Sequence, residues 1–118
     1  MIRVWLAIAG LAGLASVATG AAAAHLADGS KTAELLRTGA VYGMVHAVAL
    51  LAIVALAGRR FAAIVAGWCF AAGIVLFSGS LFALALTAEA WLGRVTPFGG
   101  IALMIGWAAL AMMALRQP

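Results

Sequence analysis

The run FAAIVAGWCFAAGIVLFSGSLFALALTA, Phe61 to Ala88, contains no charged side chain. A helix crosses a hydrocarbon core of about 30 Å with roughly 20 apolar residues, so this run is long enough to span a membrane. Working outward from it, three further charge-free stretches appear: Val4 to Ala27, Thr38 to Gly58 and Val95 to Leu115. Every charged residue lies at a border between them. The pattern predicts an all-α membrane protein: a four-transmembrane-helix bundle with short loops and both termini on the same side. It forms one domain, 1–118, with spans at about 4–24, 38–57, 61–87 and 97–115.

Composition narrows the function classes. With 68% hydrophobic and 8% charged residues in 118, four spans leave almost no chain for a soluble domain. The net charge of +4 is dispersed one or two residues at a time between spans, without the basic stripe that tracks phosphates, so nucleic acid is excluded as a partner. Cys69 is the single cysteine, which rules out an intramolecular disulfide and a CxxC site. Arg3, the apolar run after it and the small residues Gly20 to Ala24 imitate a signal peptide. That run is about twice the length of a signal h-region, so it reads as a retained first span.

Charge also predicts orientation. One side holds Arg3, Arg59, Arg60 and Arg116 with no acid; the other holds Lys31, Arg37 and Arg94 with Asp28, Glu34 and Glu89. Positive residues favour the cytoplasmic side, which places both termini there, in a cell (inner) membrane. Trp5, Phe61, Trp91 and Phe98 fall near span ends, where aromatic rings favour the headgroup region.

Two loops carry helix-start signals. Ser30, after Asp28-Gly29, is placed to cap a helix beginning at Lys31. In the last loop, Thr96 is expected to cap the fourth span, with Pro97 in its first turn.

Helices in lipid associate through close approach of small residues and through hydrogen bonds. Ala12, Ser16, Gly20 and Ala24 form a ridge on the first span, and Gly39, Gly43 and Ala47 one on the second. Further pairs are Ala63 with Gly67, Gly79 with Ala83, and Ala102 with Gly106, while Gly99 and Gly100 allow a neighbour to approach the fourth span.

Polar residues inside the spans are few. His46 stands out, because an unpaired ionisable group in hydrocarbon is costly. Tyr42 is one turn earlier on the same face, and Ser78 and Ser80 come from the third span at a comparable depth. They are expected to form an intramembrane polar cluster around His46. One reading is structural, with a neutral ring bonded to a serine or a carbonyl; the other is a proton or ligand site. His25 belongs at the interface, and no third ligand accompanies the two histidines, so neither metal nor cofactor is expected.

The segments GAAAAH (Gly20 to His25), YGMVHAVALL (Tyr42 to Leu51), FSGSLFALAL (Phe77 to Leu86), TPFGG (Thr96 to Gly100) and Gly106-Trp107 resemble, in order and spacing, the YgdD family of small bacterial membrane proteins. Their eukaryotic relatives are called transmembrane protein 256-like. The resemblance covers essentially the whole chain. It implies four spans and an inner-membrane location, and no reaction.

The expected role is therefore structural, membrane-stabilising or that of an accessory subunit, not an enzyme. General acid–base work requires a positioned pair of titratable groups, which is lacking. Its partners are the lipid bilayer and a larger membrane complex or a second copy. The alternative is a small transporter or channel subunit using the cluster around His46, which would carry proton coupling alone because the first span holds no acid.

Overall fold

Four helices of the computed structural model, Ile2–Ala24, Lys31–Ala55, Phe61–Thr87 and Leu92–Ala114, are long and apolar enough to cross a membrane. The model describes residues 1–56, 58 and 60–116, without the side chain of Leu56. Arg59, half of the expected arginine pair, and Pro118 thus lie outside the described residues. In chain order the elements are α1 (Ile2–Ala24), α2 (Lys31–Leu56), α3 (Phe61–Gly73), a π-helical turn (Ile74–Ser78), α4 (Gly79–Thr87) and α5 (Leu92–Ala114). Together α3, the π-turn and α4 make the third span. No strand occurs among the described residues.

Local chemistry sets the ends. The chain leaves α1 through Gly29, at φ +76°, and Ser30 Oγ then accepts from Ala33 N at 3.1 Å, the expected N-cap of α2. The third span stops at Ala88, a non-glycine residue at φ +59°.

The expected start of the fourth span is corrected. α5 begins at Leu92, where the amides of Leu92, Gly93 and Arg94 bond three residues back to Glu89, Ala90 and Trp91 at 3.1, 3.1 and 3.0 Å. With the first turn supplied locally, Thr96 and Pro97 fall inside the helix. Proline removes the amide that would bond to Gly93 O. Gly93 is exposed, close to the helix end, where water can take that carbonyl.

Antiparallel packing brings the start of α1, the start of α3 and the end of α5 to one end, which we call the near end. Trp5 covers Gly67, and Arg116 lines one cavity with Arg60 and Phe61. The loops after α1 and α4 form the far end. α1 lies mainly along α2, whereas α5 lies along the third span. The core they enclose includes Trp5, Leu50, Ile53, Phe70 and Leu103, with Leu50 and Phe70 fully covered.

Trp5 lies near the start of the first span, as expected, but its ring is turned inward. It is 2% exposed and meets the edge of Trp68 at 5.7 Å between ring centroids. Gly67 creates the slot, because any side chain there would overlap the Trp5 ring.

Candidate functional site

His46 is 5% exposed and turned into the bundle. Both ring nitrogens are engaged: Nε2 accepts from Trp107 Nε1 at 2.9 Å, and Nδ1 lies 2.6 Å from Tyr42 O. An indole N–H can only donate, so Nε2 must be the unprotonated nitrogen. Nδ1 therefore carries the hydrogen and donates to the Tyr42 carbonyl. The geometry selects one neutral tautomer, since an N–H at Nε2 would face the indole N–H donor to donor.

Aromatic rings close the site. Phe70 and Trp107 lie 5.8 and 5.7 Å from the His46 ring, and the Tyr42 ring runs nearly parallel to it at 5.9 Å. Tyr42 itself is exposed on the lateral surface, and its ring packs against Phe77 at 4.7 Å.

The expected single cluster is corrected here. Ser78 and Ser80 are buried but do not bond to His46. Ser78 Oγ donates to Gly39 O of α2 at 2.8 Å; Ser80 Oγ donates to Phe77 O at 3.0 Å and shares a 2.6 Å bond with Thr96 Oγ1 of α5. The cause is register. Ser78 packs beside Gly43 and bonds to the Gly39 carbonyl, about one turn before His46 on α2, whereas the His46 ring meets the third span at Phe70, about two turns before Ser78. What results is a seam of separate bonds joining α2, the third span and α5. Trp107 is the member that sequence reasoning missed. Trp107 is 42% exposed on the lateral surface, but an indole N–H within a membrane span still needs an acceptor, and an unassigned imidazole in another span was the available signal.

The small residues divide by what faces them. A side chain at Gly39 would come within 2.5 Å of the Phe82 ring, at Gly43 within 2.5 Å of Ser16 Oγ, and at Gly106 within 2.7 Å of the Phe70 ring. These three are genuine close approaches. Gly20 has only ordinary room, 3.7 Å from Ala40 Cβ, and Gly100 likewise, 3.7 Å from Phe77; the tight position is Gly99, whose added Cβ would overlap the Phe77 backbone. Gly79 is corrected outright: it is exposed with nothing within 4 Å. The helix that would cover it, α1, is held on α2, and a lateral groove of about 250 Å³ remains beside Gly79, lined also by Ala12, Ser16, Gly43 and Ser78. On α1 the ridge keeps Ala12 and Ser16 buried but ends at Ala23, leaving Ala24 exposed. Ser16 Oγ and Trp5 Nε1 are buried without a hydrogen-bond partner.

His25 is exposed just beyond α1, as an interfacial residue would be. Among the described residues no group of three His, Cys, Asp or Glu side chains could hold a metal ion.

Fold and seam define a class: a small four-span helical membrane protein in which the last three spans are tied to one another by their few polar side chains. The chain belongs to the family described as "Protein of unknown function (DUF423)", whose model matches residues 19–100. It is 36% identical over 121 residues to the UPF0382 membrane protein YwdK of Bacillus subtilis, covering 98% of each chain. To a UPF0382 membrane protein of Haemophilus influenzae it is 40% identical, over 96% of this chain and 94% of the relative. To the UPF0382 inner membrane protein YgdD of Escherichia coli it is 37% identical, over 97% and 91%. No solved structure matches.

Proposed function

We propose that this protein is a structural or accessory element of the inner membrane, with both termini cytoplasmic, acting on the bilayer or on a larger complex and performing no catalysis. One observation carries the reading: His46, Ser78, Ser80, Thr96 and Trp107 direct their hydrogen bonds to each other or to backbone carbonyls. Chemistry on a substrate needs polar groups that can be offered to it. Here they tie helices together, while the lateral surface presents Leu11, Leu14, Val17, Val41, Val45 and Val48. The transporter reading requires His46 to exchange its proton during a cycle, and the Trp107 bond opposes that.

Isolation of the native protein in mild detergent, with identification of what copurifies, tests the role. The expected result is a stable protein or lipid partner; protein recovered alone that conducts cations across vesicles would overturn it. A reporter that works only in the cytoplasm should be active when fused after Pro118; activity there of a reporter that works only on the far side of the membrane would overturn the orientation.

A further inference from the structure

At the near end, two adjoining cavities open between the start of α3 and the end of α5. One, of about 170 Å³, is lined by Arg60, Phe61, Ala62, Met113 and Arg116. The other, of about 150 Å³, shares Phe61, Ala62 and Arg116 and continues inward along Val65, Ala109 and Met112. The first is cationic and the second apolar, in the order that a lipid headgroup and its chain would follow from the membrane surface inward.

We infer that this paired cavity binds an anionic phospholipid, its phosphate beside Arg116, which lines both cavities, and one acyl chain along Val65, Ala109 and Met112. Charge complementarity selects that occupant. Arg3, Arg60 and Arg116 sit at the near end, whereas all three acidic side chains, Asp28, Glu34 and Glu89, lie in or beside the far-end loops. The third span also begins here without a side-chain cap, which adds the positive end of its dipole to the same end of the bundle. Basic pockets between membrane helices take anionic headgroups for these reasons, and guanidinium groups match phosphate geometry. Phe61, 79% exposed, stands at the mouth at headgroup level. The site requires membrane residence alone; a failed search for a protein partner would leave it untouched.

The test is lipid retention by the full-length protein in neutral detergent, measured by native mass spectrometry with dioleoyl phosphatidylglycerol against dioleoyl phosphatidylcholine. One well-placed arginine should favour the anionic lipid about fivefold. Arg116→Gln should reduce the preference severalfold, Arg116→Lys should keep most of it, and Arg94→Gln, at the far end, should leave it unchanged. Equal retention of the two lipids by the native protein, or a preference that survives Arg116→Gln, overturns the proposal. If Arg116→Gln does not fold, the native protein decides: the preference must fall as ionic strength is raised, and a salt-independent one counts against the site. Water-soluble glycerophosphate that competes as well as the lipid would show that the apolar groove contributes nothing, which also overturns it.

Discussion

The first helix and the other three spans are held by different forces. α2, the third span and α5 are cross-linked by side-chain hydrogen bonds at two depths, Ser78 and Ser80 on the far side and His46 with Trp107 nearer the termini. α1 has no comparable link. Among the described residues its tie to another helix is one long bond from Arg37 Nη2 to Ala23 O, at 3.5 Å, while Thr19 bonds to Ala15 O of its own helix and Ser16 bonds to nothing. Shape holds it instead, through small residues along α2 and the Trp5 ring in the Gly67 slot. Lipid tails are as apolar as leucine, so burial gives little preference for one helix over another; fit and hydrogen bonding decide. A bundle can use either device, and this one divides them by helix.

That contrast can be broken from either side. The largest effect is expected at Gly99, where a side chain meets the Phe77 backbone, which cannot rotate away. Gly99→Leu should cost about 3 kcal/mol or more, seen as loss of a cooperative thermal transition in detergent. Gly100→Leu, facing a ring at 3.7 Å, should cost distinctly less; equal losses would refute the assignment. Next comes Trp5→Ala, which empties the Gly67 slot at a cost of about 2 kcal/mol, reduced from soluble cores because lipid replaces water. Hydrogen exchange should rise in α1 and stay unchanged in α5; a rise throughout the bundle would mean that α1 is not separately held. Third, His46→Leu strands the Trp107 N–H and should cost about 1–2 kcal/mol, with His46→Gln losing less because it keeps an acceptor. Identical midpoints for the two variants would show that the seam bond contributes nothing. Smallest is Ser16→Ala, which removes an unpartnered hydroxyl and should shift the midpoint by less than about 0.5 kcal/mol. A larger destabilisation would reveal an α1 hydrogen bond and erase the contrast.

The fold was legible because charge is absent over long intervals: Phe61 to Ala88 alone requires a span, and hydrocarbon leaves a helix as the answer. Ser30 was legible as a cap because it acts three residues away. Thr96-Pro97 was misleading for the complementary reason, since the local turn at Glu89 to Trp91 started α5 first and left Thr96 to bond across to Ser80. His46 was legible as a buried, bonded group, but its partner was not. Trp107 is 61 positions away, and nothing in either segment states the register in which two helices slide past each other. Gly79 failed for a related reason: spacing shows which residues share a stripe, not whether a neighbour arrives to cover it.

The distance between His46 and Trp107 along the chain has a consequence for biosynthesis. Chains emerge from the N-terminal end at about 5–20 residues per second, so α1 and α2 are in place, and can pair, before the fourth span has been made. During that interval the acceptor nitrogen of His46 has no indole to meet it. The final helix therefore completes the polar chemistry of an early one, and a nascent chain arrested before residue 107 carries a mark of its incompleteness: a bare imidazole acceptor at membrane depth, which disappears when synthesis is finished.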